Sequence, residues 1–193
     1  MEEKFIQTRN QSLKLIKVVL YGPESTGKTT LASQLAAHYN TQWAPEFMRE
    51  YLEQKWAGEK QVVTKADLIP IAKGQMENER KAAEKAPNLL ICDTNLLELK
   101  VYSEYYFEGY CPEFIQKEAS KNNSDIYLLT YIDTPWEADI LRDRPNNRME
   151  MFRIFEAELI QHNFHYQILK GHKKERFDKA VEIIDDLIKK QNH

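Results

Sequence analysis

Residues 22–29 read Gly22-Pro23-Glu24-Ser25-Thr26-Gly27-Lys28-Thr29, a glycine-rich octapeptide. It follows an apolar run at residues 15–21 and precedes a helical pattern that begins near Lys28. Glycines in such a turn let the backbone approach a ligand closely, so that its N–H groups converge on a phosphate. A helix N-terminus adds positive partial charge at the same place. This order of strand, loop and helix predicts a phosphate-binding P-loop.

The P-loop implies a bound nucleotide and a metal ion. In such loops the lysine reaches the β- and γ-phosphates, and the next hydroxyl ligates Mg²⁺. We therefore expect Lys28 to contact ATP and Thr29 to contact Mg²⁺. The predicted ATP-binding residues of this segment are Gly22, Pro23, Glu24, Ser25, Thr26, Gly27, Lys28, Thr29 and Thr30.

The composition restricts the class of protein. The chain has 193 residues, of which 42% are hydrophobic and 30% charged, as is typical of a single globular domain. Its net charge of −3 does not favour nucleic-acid binding. Cys92 and Cys111 are too few for a disulfide framework, and neither a membrane span nor a secretory signal is evident. We expect a cytoplasmic protein without nucleic-acid or membrane partners, and we make no prediction of its oligomeric state.

Apolar segments alternate with helical patterns along the whole chain. Strands are predicted at 15–21, 41–44, 89–92, 126–132 and 166–169. One predicted helix begins at 28, one runs from a capping box at 64–67 to 85, and one ends at 106; the others span 46–54, 136–141, 149–162 and 175–190. Pro70 should reset the first turns of the helix that ends at 85. The alternation predicts a three-layer α/β fold with about five parallel strands and helices on both faces. The strand ends, and with them the site, then share one edge of the sheet.

Two acids follow predicted strands and face that edge. Asp93 ends the strand at 89–92, where an acid in P-loop proteins holds Mg²⁺ directly or through water, although it could also cap the next turn. Glu46 follows the second strand, where it could accept a proton from a substrate hydroxyl or favour a helix start. Arg49, one turn later, could orient Glu46, contact phosphate or form a surface ion pair.

An arginine-rich segment at residues 142–148 predicts a lid over the nucleotide. Guanidinium groups stabilise the charge that spreads over the γ-phosphoryl oxygens during transfer. Arg142 is the leading candidate and Arg148 the second, with Arg144 between them. Local salt bridges to Asp139 or another nearby acid are the alternative interpretation.

Aromatic residues near strand ends are candidates for stacking on a substrate ring. Trp43 lies in the second predicted strand, and Tyr105, Tyr106 and Phe107 close the helix after Asp93. Most aromatic residues of this kind belong to the core. Because these segments follow strand ends near the expected site, Trp43 and one of the other three are the candidates for contact with the substrate.

Three segments together resemble the NadR-like ribosylnicotinamide kinases. They are the octapeptide with its internal Glu24, Pro45-Glu46-Phe47-Met48-Arg49-Glu50, and Ile91-Cys92-Asp93-Thr94-Asn95. The resemblance spans about residues 15–188. It implies a P-loop kinase that converts ATP and nicotinamide riboside to ADP and nicotinamide mononucleotide. NadR proteins commonly carry an adenylyltransferase and in some cases a DNA-binding domain, and the resemblance here implies the kinase activity alone.

Two positions depart from the pattern of that family. Asn95 stands where the family often has Asp; an amide can hydrogen-bond a ribose hydroxyl but cannot act as a base. Pro45 stands where the family has an aromatic residue before the Glu-x-x-Arg-Glu segment. The substrate-binding candidates are Trp43, Glu46, Arg49, Asn95 and Tyr106.

Three hypotheses follow for the function. The leading one is a riboside kinase, with residues 1–14 as a polar lead-in and 15–190 as one kinase domain. Glu46, or else Asp93, receives the hydroxyl proton; we favour Glu46 because its place after the second strand resembles that in deoxynucleoside kinases. The second hypothesis is a kinase of another nucleoside or small alcohol. The third is a regulatory ATPase or GTPase, against which the chain lacks an Asn-Lys-x-Asp guanine signature.

Overall fold

The computed structural model describes residues 14–59, 63–121, 123–135 and 147–191. Its strands are β1 (Ile16–Tyr21), β2 (Gln42–Ala44), β3 (Leu89–Asp93), β4 (Ile126–Thr130) and β5 (Tyr166–Leu169). Its helices are α1 (Lys28–His38), α2 (Phe47–Glu59), α3 (Leu68–Lys85), α4 (Leu96–Tyr106), α5 (Glu113–Ala119), α6 (Arg148–Gln161) and α7 (Lys173–Gln191). A short 3-10 turn, Lys65–Asp67, precedes α3.

The strands form one parallel sheet in the order β2-β3-β1-β4-β5. This confirms the predicted α/β fold. β1 is central and pairs with β3 on one side and β4 on the other. Strands β2 and β3 therefore lie on one side of β1, and the later strands β4 and β5 lie on the other. Leu20 of β1 pairs with Asp93 of β3, which brings the end of β3 beside the start of the glycine-rich loop. Sheets of this kind bind ligands at such a switch point, beyond the carboxyl ends of the strands.

Alternate residues of β1 enter two separate hydrophobic cores. Val18 packs on one face of the sheet with α1 and α7, including Leu35 of α1. Val19 packs on the other face with α3, α4, α5 and α6, including Phe155. Because successive side chains of a strand point to opposite faces, a continuously apolar strand requires helices on both faces. Burying both faces leaves the ends of the strands as the place for a polar site.

The predicted elements differ from the observed ones in a few places. Helix α5 was not predicted, because its seven residues show only one helical repeat of buried positions, Ile115 and Ala119. The strand predicted to reach residue 132 ends at Thr130. The predicted helix at 136–141 lies outside the described residues. Pro70 lies in the first turn of α3, where its missing N–H costs no intrahelical hydrogen bond.

None of the helices in the described part of the chain combines the length and the apolar character that crossing a membrane requires.

Candidate nucleotide and acceptor site

The glycine-rich loop has the backbone that a P-loop needs. Gly22 has a φ of +131°, and a Cβ there would lie 2.9 Å from Oγ1 and 3.0 Å from the carbonyl oxygen of Thr130. Glycine is therefore required at this position for both its conformation and its contact with β4. The loop runs directly into α1, which begins at Lys28, so that the N-terminus of α1 opens into the loop.

Lys28 curls back onto its own loop. Its Nζ donates to the carbonyl oxygens of Gly22, at 2.7 Å, and Pro23, at 3.0 Å. The same Nζ lies 3.4 Å from Oε1 of Glu98, and both side chains are buried. A cation held by loop carbonyls and one carboxylate can exchange these partners for phosphate oxygens.

Two arginines brace the outer side of the loop through its carbonyl groups. Arg148, at the start of α6, donates from Nη2 to the carbonyl oxygen of Ser25 at 3.1 Å. Arg176 of α7 is 3% exposed and donates from Nη1 to the carbonyl oxygen of Thr26 at 2.6 Å. Fixing the carbonyls on one side directs the N–H groups to the other, as phosphate binding requires. Arg148 was predictable from its arginine-rich segment, whereas Arg176 stands in an ordinary amphipathic helix, where nothing in the sequence indicates a contact with the loop.

Arg142, the leading lid candidate, and Arg144 lie outside the described residues. The guanidinium of Arg148 contacts the loop backbone and the carbonyl oxygen of Thr134, at 2.7 Å. Burial lowers the pKa of Arg148, and the charge of nearby Arg176 adds to this. Direct contact of Arg148 with ATP remains a prediction.

Asp93 lies at the end of β3 with a relative exposure of 1%. Neither of its carboxylate oxygens has a hydrogen-bond donor in good geometry among the described residues. Burial raises the pKa of Asp93, while the Thr29 hydroxyl and the charges of Lys28 and Arg49 oppose that rise. A buried carboxylate whose neighbours offset its burial only in part is costly unless a ligand compensates it, and a cation is the natural ligand.

Glu98 is a third acid of this site and was not among the predicted site residues. It lies in the first turn of α4 and is 3% exposed. Burial raises its pKa well above the ordinary value; the charge of Lys28 opposes this, and Glu46 and Asp93 add to it. A signal was present, since Glu98 interrupts the apolar run Leu96-Leu97-Glu98-Leu99 on a helix that follows a site residue.

Glu46 is half-buried and precedes α2. The next residue, Phe47, donates its backbone N–H to Oε1 of Gln75 on α3, at 2.9 Å. The Phe47 ring packs over Gly74, where a Cβ would lie 2.1 Å from the ring. Helix α3 therefore fixes the position of the loop that carries Glu46.

Arg49 lies on α2, one turn after Glu46. Its Nη1 is 3.6 Å from Oε1 of Glu53, and its side chain is about one third exposed. Its charge also acts on Asp93, where it opposes the rise in pKa that burial causes. Arg49 thus faces both solvent and the acidic cluster.

One cavity of about 920 Å³ joins Lys28, Glu46, Arg49 and Glu98. Part of its lining is polar and comes from loop residues 24–30 with Glu46, Arg49 and Glu98. Another part is largely apolar and aromatic, and a third part comes from the segments after β4 and β5. The apolar part is formed by Met48, Leu52, Val63, Leu68, Leu99, Tyr102, Tyr106 and Phe107, and the third part includes Asp133, Thr134, Pro135 and His172.

Two predicted substrate contacts do not reach this cavity. Trp43 packs with the core on the face of α1 and α7, because strand alternation turns it away from the neighbouring Ala44, which packs on the opposite face. Asn95 caps α4 by accepting from the N–H of Leu97, at 3.1 Å, and donates to the Tyr127 hydroxyl, at 2.9 Å. Trp43 therefore packs against the core and Asn95 caps a helix, whereas Tyr106 does line the cavity; contact of each with a substrate stays a prediction.

Comparisons with known proteins identify the family and the relatives of this chain. The model of the family described as "AAA domain" matches residues 17–176. The "Trifunctional NAD biosynthesis/regulator protein NadR" of Salmonella typhimurium is 27% identical over 194 residues, and the Escherichia coli protein of that name is 26% identical over 191. Each alignment covers 97% of this chain and 46% of the relative, so the chain spans about half the length of these curated relatives.

Solved structures establish the fold. A "NadR protein in complex with NR" has a TM-score of 0.75 at 21% identity, over 89% of this chain and 51% of that one. Deoxyadenosine kinase from M. mycoides with bound dATP has a TM-score of 0.58 at 15% identity, over 88% and 99% of the two chains. The fold is that of the P-loop kinases. The family model covers most of the chain and the predicted resemblance to NadR is confirmed, so this protein belongs to the AAA domain family as a P-loop domain that has a nucleoside-kinase-like fold and is distantly related to NadR.

Proposed function

We propose that this chain is an ATP-dependent kinase of a small-molecule alcohol, with nicotinamide riboside as the first candidate acceptor. The observation that carries the proposal is the meeting of Lys28, Glu46 and Glu98 in one cavity that also has an apolar, aromatic part. The cavity volume of about 920 Å³ falls within the range that small-molecule ligands occupy. Residues 15–190 would form the single kinase domain.

The glycine-rich loop would hold the nucleotide. Its N–H groups and the N-terminus of α1 suit the β-phosphate, and Lys28 would leave the carbonyls of Gly22 and Pro23 for the β- and γ-phosphates. Arg148 and Arg176 keep the loop in shape by holding its carbonyl groups. These residues bind and orient the donor before any bond changes.

Asp93 and Thr29 fit a Mg²⁺ site. Asp93 is a buried carboxylate on which the Thr29 hydroxyl acts, and Thr29 is exposed and lines the cavity. No cluster of three or more acidic, histidine or cysteine side chains suited to a metal occurs within those residues, which fits an ion held largely by phosphates and water. When bound, Mg²⁺ would neutralise charge on the β- and γ-phosphate oxygens.

Transfer would follow from the placement of the acceptor. The 5′-hydroxyl oxygen forms a bond to the γ-phosphorus, the bond from that phosphorus to the bridging oxygen of ADP breaks, and the hydroxyl proton passes to Glu46. Glu46 lines the cavity and is positioned by its neighbour Phe47. Asp93 is the alternative proton acceptor. Tyr106, in the aromatic part of the cavity, offers a face to the acceptor's ring.

A kinase of another nucleoside is the second candidate. It is favoured by the likeness of the fold to deoxyadenosine kinase, which matches over nearly its whole length. Among the described residues, the apolar part of the cavity has no single feature that selects a pyridine ring over a purine or pyrimidine.

The decisive experiment measures ADP release and phosphorylated product with MgATP and a panel of acceptors. The panel contains nicotinamide riboside, nicotinic acid riboside, adenosine, cytidine, uridine and their 2′-deoxy forms. Turnover of nicotinamide riboside at the highest kcat/KM supports the first candidate, and a preference for a nucleoside supports the second. Nucleotide-dependent binding of a protein partner, without transfer to any acceptor, would instead support the regulatory hypothesis.

A further inference from the structure

One of the two carboxylate oxygens of the buried Glu98 side chain lacks a hydrogen-bond partner among the described residues. Its Oε1 lies 3.4 Å from the Lys28 ammonium, while its Oε2 is buried and has no hydrogen-bond partner among the described residues. The side chain is 3% exposed yet lines the main cavity, and it also lines a small adjoining pocket together with Glu46. An orphaned oxygen in such a place points to a missing ligand group.

The position of Glu98 creates a conflict when a nucleotide binds. Lys28 is the cation that compensates Glu98, and it is also the side chain that the β- and γ-phosphates require. Phosphates entering the loop bring further negative charge beside a carboxylate that is shielded from water. Electrostatic repulsion is strong in such surroundings, so that Glu98 opposes nucleotide binding as long as it stays ionised and uncompensated.

A hydroxyl of the acceptor would remove this conflict. Glu98 shares the cavity with Glu46 and with the aromatic residues Tyr102 and Tyr106, which form the acceptor part of the proposed site. An O–H group donated to the free Oε2 would compensate the charge that Lys28 leaves behind. A neutral alcohol that is held in the cavity supplies that donor without adding charge.

We propose that Glu98 couples the two substrates: it competes with the nucleotide for Lys28 until an acceptor hydroxyl hydrogen-bonds its free carboxylate oxygen. This inference rests on the proposed kinase function for its second half only. The competition for Lys28 belongs to the nucleotide site and exists without an acceptor. Because coupling is reciprocal, the nucleotide also tightens binding of the acceptor by the same factor.

The test measures the Kd of a Mg²⁺-bound, non-hydrolysable ATP analogue by calorimetry, with and without saturating acceptor from the panel. We expect the acceptor to tighten analogue binding to the wild type about fivefold or more. In Glu98→Gln the analogue should bind tighter than to the wild type without acceptor, and the acceptor effect should fall to about one. Acceptor-free ATP hydrolysis should rise in the same variant, because Lys28 is then always available.

Glu104→Gln is the matched control. Glu104 lies on the same helix and also pairs with a lysine, Lys100, at 2.8 Å, but it does not line the cavity. Its replacement should leave both the analogue Kd and the acceptor effect as in the wild type. Glu98→Asp keeps the charge but withdraws it by one methylene, so this variant should give an intermediate analogue Kd. It provides a second measurement in case Glu98→Gln does not fold.

The proposal is overturned if Glu98→Gln binds the analogue no tighter than the wild type, or if it retains the full acceptor effect. If Glu98 only supported the structure of the site, Glu98→Gln would weaken analogue binding, which is the opposite of the expected effect. If the wild type phosphorylates no member of the panel, the kinase proposal fails, and the acceptor half of this inference fails with it. The analogue titration then still decides whether Glu98 competes for Lys28.

Discussion

Asp67 and Glu98 are both carboxylates hidden from solvent, yet their surroundings differ in kind. Asp67 is 6% exposed and accepts hydrogen bonds from Tyr51 at 2.8 Å, Lys55 at 2.5 Å, and both the N–H and the hydroxyl of Thr64 at 2.7 Å. Glu98 is 3% exposed and has one lysine at 3.4 Å, with its second oxygen unpartnered among the described residues.

The pKa values of the two groups move in opposite directions. Burial alone would raise the pKa of Asp67, but hydrogen bonds from Lys55, Thr64 and Tyr51 reverse this and lower it. Burial raises the pKa of Glu98, and Lys28 offsets it only in part. A carboxylate surrounded by donors stabilises a fold, whereas one that lacks donors costs stability and is available to a ligand.

The largest effect is expected from Lys28→Ala. Without the ammonium group the γ-phosphoryl loses its main cation, and phosphate transfer should fall about a thousandfold or more. The corresponding change at the other carboxylate, Lys55→Ala, should lower stability but leave the transfer rate per folded molecule nearly unchanged. Product formation under saturating substrates measures both, and transfer by Lys28→Ala within tenfold of wild type would contradict the assigned role.

Glu46→Gln should have the next largest effect. The amide keeps the size of the side chain but cannot take the hydroxyl proton, so we expect the chemical step to slow by about 10²- to 10⁴-fold. Binding of the ATP analogue should stay within about threefold of wild type. Single-turnover kinetics and calorimetry separate the two quantities, and a wild-type rate in this variant would assign the proton to another acid, with Asp93 the first alternative.

Replacing each of the two buried carboxylates by its amide should change the free energy of unfolding in different ways. Asp67→Asn removes charge-assisted hydrogen bonds and leaves Lys55 buried beside a neutral amide, so the free energy of unfolding should fall by about 1–3 kcal/mol. Glu98→Gln removes a carboxylate whose charged form is poorly compensated, and Lys28 keeps its bonds to the carbonyls of Gly22 and Pro23, so the stability of the variant should equal or exceed that of the wild type. Urea denaturation of the nucleotide-free proteins tests this contrast, and equal losses in both variants would abolish it.

The pH dependence of stability is the smallest expected effect and has opposite signs at the two sites. The pKa of Asp67 is lowered by folding, so its stabilising contribution is present above the unfolded pKa of about 3.9 and disappears as the pH falls through the folded value. The stability gap between wild type and Asp67→Asn should therefore close below about pH 4. The pKa of Glu98 is raised, so the wild type should lose stability relative to Glu98→Gln as the pH rises from about 4. Unfolding curves at several pH values measure both trends, and trends of equal sign would refute them.

Local patterns explain what the sequence could predict. The glycine-rich loop is contiguous, and its spacing alone defines the backbone that binds phosphate. Asp93 and Glu46 could be placed near it because parallel strands end at one edge of the sheet, and neither assignment needed a side-chain contact.

The remaining features depend on contacts between distant parts of the chain. The sequence of β2 shows Trp43 beside a strand end, but the face to which it turns depends on pairing with β3 and on packing of α1 and α7. Glu98 becomes a site residue only because α4 turns it toward Lys28, 70 positions earlier in the chain. Arg176 reaches the loop from the last helix, 150 positions later. No local rule connects residues at such separations.

The contact between Gly74 and Phe47 has a consequence for how this scaffold could acquire new acceptors. Helix α3 has a notch where Gly74 lacks a side chain, and the ring of Phe47 lies in that notch beside the hydrogen bond that the Phe47 N–H donates to Gln75. Even one added methyl group would push the ring outward and carry the adjoining acid with it. Variation at a single helical position, without any change among the groups that touch the nucleotide, would thus retune the reach of the proton acceptor to a longer or shorter alcohol.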